Sequence, residues 1–144
     1  MWNRTTMRLP MAALAWGLAL PAMADSPAPP KPESQATIKR LGFDISSVTL
    51  LPKAARRLDI KTGEISDDPS GRKVTPYSSI IYDLDGDAWV YTLTAPLTFV
   101  RAGVVVDVIK GNLAYLQDGP PAGTQIVTVG VPELYGAEVG VNGE

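Results

Sequence analysis

Two glycine turns, Asp85-Gly86 and Lys110-Gly111, stand between runs of β-branched and aromatic residues and constrain the fold more than any other feature of the chain. Asp-Gly between alternating apolar residues is a strong short-range signal for a two-residue β-hairpin. Counting outward from Asp85-Gly86 sets Tyr82 opposite Trp89, Ile81 opposite Val90 and Ile80 opposite Tyr91. Ile80, Tyr82, Trp89 and Tyr91 then share a face, where each cross-strand pair adds roughly 0.2 to 1 kcal/mol. The aromatics are expected to pack in the core, with a carbohydrate-stacking platform as the sharper alternative. A second hairpin turning at Lys110-Gly111 sets Val108 opposite Leu113 and Val106 opposite Tyr115.

The remaining segments extend this pattern. Ser47-Val48-Thr49-Leu50 has strand character, and Pro52 suits the first turn of a short helix over Lys53 to Leu58, with Leu51, Ala55 and Leu58 facing inward. A strand resumes over Ile60 to Ile65, Asp67 to Gly71 is a loop, and Leu97 to Arg101 is a strand that Gly103 bulges or breaks before Val104 to Ile109. Gly119-Pro120-Pro121-Ala122-Gly123 is a rigid loop, and Thr124 to Val129 is the last strand. The expected fold class is all-β, mainly β with one short helix, closed as a small antiparallel β-barrel or sandwich.

At the front, Arg4 and Arg8 precede an apolar run from Met11 to Ala22, and Ala22-Met23-Ala24 offers the small residues a signal peptidase accepts. Residues 1–24 are expected to be a secretory signal peptide cleaved after Ala24, giving a periplasmic or, alternatively, secreted protein. Residues 25–37 hold Pro27, Pro29, Pro30 and Pro32 and suit a flexible tether. Residues 38–141, about 105 in number, suffice for one compact domain. Without cysteine there is neither disulfide nor lipid attachment point, so a core must supply the stability. Removing residues 1–24 leaves 11 of the 13 basic residues against 15 acidic ones, a net charge of −4 that argues against nucleic acid. The cluster Lys53, Arg56, Arg57 and Lys61, mixed with Asp59 and Glu64, suits a solvated face.

The order of several pieces carries a family likeness. Val74-Thr75-Pro76-Tyr77-Ser78-Ser79-Ile80-Ile81 is followed by Gly86-Asp87-Ala88-Trp89-Val90-Tyr91, then Val104 to Val108, then Gly123 to Gly130 with Leu134. This resembles the last, membrane-proximal domain of the periplasmic adaptor proteins, or membrane fusion proteins, of tripartite efflux pumps and related secretion systems. The likeness spans Val74 to Gly136, about half of the chain, and Val48 to Pro52 with Leu58-Asp59-Ile60 and Thr62 adds a weaker match at the front. A full adaptor also contains a helical hairpin, a lipoyl-like domain and a β-barrel, for which this chain has neither heptads nor length. The resemblance therefore implies an isolated membrane-proximal module whose role is docking to a protein, an inner-membrane transporter or another adaptor, with membrane contact only through that partner.

Motifs for chemistry are sparse. There is no histidine base, no cysteine nucleophile and no phosphate-binding glycine loop, so no catalytic residue, cofactor or metal ligand is expected. Asp83-Leu84-Asp85-Gly86-Asp87 alternates carboxylates like a Ca²⁺ loop, but an EF-hand starting at Asp83 would need Gly and an acid where Ala88 and Thr94 stand; a hairpin turn is the better reading. Pro132-Glu133-Leu134-Tyr135-Gly136 sets a Tyr beside a Leu in a turn-rich stretch, and Arg101 lies near Phe99. Phe99, Arg101, Glu133, Leu134 and Tyr135 are the candidate protein-interface residues, with closure of the barrel bottom the other reading of Leu134 and Tyr135. The expected function is that of an exported, non-enzymatic accessory protein docking onto a membrane-transport, efflux or envelope assembly. The alternative is a periplasmic module binding a small hydrophobic or sugar ligand.

Overall fold

A computed structural model describes residues 35–42 and 44–140, all within the unit Pro32–Glu144. The expected signal peptide and most of the expected tether lie outside the described residues. Among the described residues the order is β1 (Ala36–Arg40), β2 (Ser46–Leu50), α1 (Pro52–Arg57), β3 (Lys61–Glu64), β4 (Ser66–Asp67) and β5 (Lys73–Pro76). After a 3₁₀ turn (Tyr77–Ser79) come β6 (Ile81–Tyr82), β7 (Ala88–Ala95), β8 (Thr98–Lys110), β9 (Leu113–Asp118), β10 (Gln125–Val129) and α2 (Val131–Gly140). The strands form a nearly closed antiparallel β-barrel, the all-β class expected. A second helix, α2, joins the one anticipated.

Strand β8 organises the sheet. Its first half pairs with β7 on one side and β2 on the other, and its second half pairs with β9. Register shifts between Val105 and Val108 bend the strand where it passes from one set of neighbours to the next. The expected interruption at Gly103 does not occur: Gly103 stays in the strand opposite Trp89, and the irregularity falls after it.

Consecutive residues on β7 and β10 are buried on both faces, which separates two cores. Tyr91, Phe99 and Val127 pack with Val48, Leu50, Val131 and Leu134, whereas Val90 and Ile126 pack with Ile65, Val104 and Leu116. Side chains alternate along a strand, so the β7–β10 ribbon lies between the two clusters. Full burial of such a side chain contributes roughly 1.5 to 3 kcal/mol, and no disulfide supplements it.

Both hairpins differ in register from the sequence reading. Tyr82 pairs with Ala88 and Ile81 with Trp89, so five residues, Asp83 to Asp87, form the turn. A one-residue slip exchanges faces: Ile81 packs on the Tyr91 side, Ile80 joins the Val90 cluster, and Tyr82 is exposed. In the second hairpin Lys110 faces Leu113 and Val108 faces Tyr115, with Gly111-Asn112 as the turn. Gly111 has φ 60° whereas Lys110 remains in the strand, which is the pattern of a turn with glycine at its first central position.

The helices follow local chemistry. Pro52 opens α1, whose buried residues are Ala54 and Ala55; Leu51 caps it and is exposed rather than packed. Helix α2 replaces the expected turn around Pro132, with Glu133 in its first turn. Val131, Leu134 and Glu138 recur at helical spacing and are its buried face, closing over the first core.

Candidate functional site

Burying Glu138 among apolar neighbours requires partners for its charge, and strands β2, β7 and β8 bring them together. Its Oε2 accepts a hydrogen bond from the Tyr91 hydroxyl at 2.6 Å and lies 2.9 Å from Arg101 Nε. Its Oε1 accepts from the Ser46 backbone amide at 3.0 Å. The Arg101 contact is ionic and not an aligned hydrogen bond, while Arg101 Nη2 donates to the Asp44 carbonyl. Burial, reinforced by the bond to Glu138, raises the Tyr91 phenol far above its usual range, so it stays protonated and donates. This group ties α2 to the barrel, and each member is committed to a protein partner.

Above it opens a cleft of about 560 Å³, within the size range of ligand sites. Arg101 and Glu138 form its floor, Trp89 and Tyr135 its aromatic sides, and the β1–β2 loop and the Asp83–Asp87 loop its rim. The Arg101 guanidinium carbon lies 4.9 Å from the centre of the Trp89 ring and 5.6 Å from that of Tyr135. These are cation–π distances, and the covered indole face is not open to a sugar.

The rim loop is fastened by its own first residue. Asp83 Oδ1 accepts from the amides of Asp85 at 3.0 Å and Asp87 at 2.9 Å, and Oδ2 accepts from Trp89 Nε1 at 2.8 Å. Chiefly through the indole bond, these contacts hold the carboxyl below the usual aspartate range. With Asp83 thus engaged, the loop displays Leu84 fully exposed at its tip, beside Asp85 and Asp87. No group of three acidic, histidine or cysteine residues among the described residues is arranged to hold a metal ion.

The expected interface residues separate into different environments. Phe99 and Leu134 are 1% and 0% exposed in the first core and offer no surface to a partner. Arg101 is also buried, because Glu138 needs its charge. Glu133 is exposed on α2, and half-buried Tyr135 reaches the cleft. The sequence reading missed Glu138, and took Asp83 and Leu84 only as part of a hairpin turn. Helical spacing from Val131 through Leu134 to Glu138 was the available signal for the first, and an aspartate two and four residues before unpaired amides was the signal for the second.

Comparison with protein-family models, curated proteins and solved structures finds no match to the chain. Among the described residues no helix is long and apolar enough to cross a membrane.

Proposed function

We propose that the chain is an exported, non-enzymatic accessory protein that docks onto a membrane-transport, efflux or envelope protein. The observation that carries this reading is Leu84, held wholly exposed on a loop fastened by Asp83, at the rim of an open cleft. Ordering a contact loop before binding lowers the entropic cost of association, and a single apolar anchor beside a polar rim suits a protein interface. Export is supported by the basic residues, apolar run and small-residue cleavage pattern at the front of the sequence. The order of strand motifs, similar to the membrane-proximal domain of efflux adaptors, supports a partner in transport.

The small-ligand reading draws on half-buried Trp89 in the cleft wall. It is the weaker one, because Arg101 occupies one face of the ring and the indole N–H is already bonded to Asp83.

Photo-crosslinking in the native host tests the docking reading, with the probe placed in turn at Leu84, Tyr135 and, as a control, exposed Thr62 on β3. A discrete protein adduct from Leu84 and Tyr135 but not Thr62 is the expected result. Absence of any adduct from the two cleft positions, with the protein folded and exported, overturns it.

A further inference from the structure

We infer that the cleft takes a basic, amphipathic segment of the partner protein, its aliphatic side chains against Leu84 and the aromatic wall and its Lys or Arg side chains towards the acidic rim. This inference rests on the docking reading and specifies the chemistry of the docked segment.

Charge on the lining residues gives the sign. Arg101 and Glu138 neutralise each other in the floor. The remaining charged lining residues are Asp44, Asp83, Asp85 and Asp87 against Arg40 alone. Asp83 is engaged by Trp89 and the loop amides, while Asp44, Asp85 and Asp87 are exposed at the rim. All three line the same cleft, and like charges reinforce one another's field where they lie within the screening length of about 8 Å at physiological salt. An anionic ligand would meet net repulsion, and a cationic segment is attracted and steered.

Apolar surface gives the second half of the specificity. Leu84 projects from the rim, and Leu41 on the neighbouring loop is also exposed. A purely polar cation would leave both in water. A segment that alternates basic and aliphatic side chains covers Leu84 and meets the carboxylates together.

The test is an NMR titration of the full chain with a synthetic peptide alternating Lys and Leu. Two control peptides carry Glu in place of Lys, or Ser in place of Leu. The indole N–H of Trp89, assigned against Trp2 and Trp16 by single Trp→Phe variants, reports the cleft because it is bonded to Asp83. The expected result is saturable shifts of that signal and of the Leu84 to Asp87 amides with the Lys/Leu peptide only. Affinity should fall at least about tenfold in Leu84→Ser and in Asp85→Asn/Asp87→Asn, and weaken with added salt.

Equal binding of the Lys/Ser peptide, preference for the Glu/Leu peptide, or shifts centred away from the cleft would overturn the inference. A discrete crosslink from Leu84 combined with any of those results leaves docking standing and removes only the basic-segment assignment. Loss of the crosslink removes the reading beneath it.

Discussion

Glu138 on α2 accepts a 2.6 Å hydrogen bond from the Tyr91 hydroxyl on β7, and both residues are essentially inaccessible to water. A carboxylate in that position is stable only because Arg101 stands 2.9 Å away and the Ser46 amide binds its other oxygen. The group joins the C-terminal helix to three strands. It is therefore the fastening of the barrel end on which the cleft is built.

Removing one partner should cost far more than removing both. Glu138→Ala leaves the Arg101 charge buried without its counter-ion and is expected to destabilise the fold by about 3 to 5 kcal/mol in urea denaturation. Arg101→Met with Glu138→Leu, which removes both charges and keeps volume, should cost less than either single change. A Glu138→Ala chain as stable as the parent would show that the ion pair does not hold α2.

Core contributions are expected to follow burial and not ring size. Phe99, 1% exposed, should cost about 3 to 5 kcal/mol on replacement by Ala. Trp89 is half-buried and lines the cleft, so Trp89→Ala should cost roughly half as much. Thermal denaturation of the two variants checks the order, and a larger loss at Trp89 would contradict the placement of its ring.

Acid should release the rim loop only below the ordinary aspartate range. The folded Asp83 carboxyl titrates lower than in the unfolded chain, so its stabilisation is present above an unfolded pKa of about 3.9 and is lost as pH falls through the depressed folded value. Asp68 is lowered as well, first by Ser70 and then by Arg72, so global stability reports both groups. The Trp89 indole N–H isolates Asp83: its signal should hold steady from neutral pH to about 4 and move below it. Asp83→Asn should abolish that transition, and a midpoint at or above the ordinary value would contradict the geometry.

Local chemistry made much of the barrel legible and left its long-range choices hidden. Pro52 marked the start of α1, and the strand read over Thr124 to Val129 after its glycine-proline loop is β10 to within one residue. The Asp85-Gly86 register failed because the Asp83 side chain captures two amides and enlarges the turn, a competition that a dipeptide preference does not contain. Helix α2 was hidden because Glu138 occupies an apolar-face position and Pro132 and Gly136 resemble turn residues. Of the interface candidates, Tyr135 lies at the cleft, but Arg101 is there as the partner of Glu138, a pairing across separate elements that no local pattern encodes.

Two glycines with the same backbone angle should respond differently to a methyl group. Gly86 and Gly130 both have φ 88°, a left-handed conformation that disfavours any other residue by about 1 to 2 kcal/mol. At Gly86 an added Cβ meets nothing within 4 Å, so Gly86→Ala should show the conformational cost alone. At Gly130 the same atom would lie 2.3 Å from Ile60 Cδ1 and 3.2 Å from the Leu58 carbonyl oxygen, where α2 begins against the chain leaving α1. Gly130→Ala must shift the Cδ1 end of Ile60, which packs against the first core, and crowd the Leu58 carbonyl as well as strain the backbone, and should cost about 1 kcal/mol more than Gly86→Ala. Equal losses for the two variants in parallel denaturation curves would mean that the backbone at Gly130 relaxes away from Ile60, and that the junction between β10 and α2 is looser than its packing indicates.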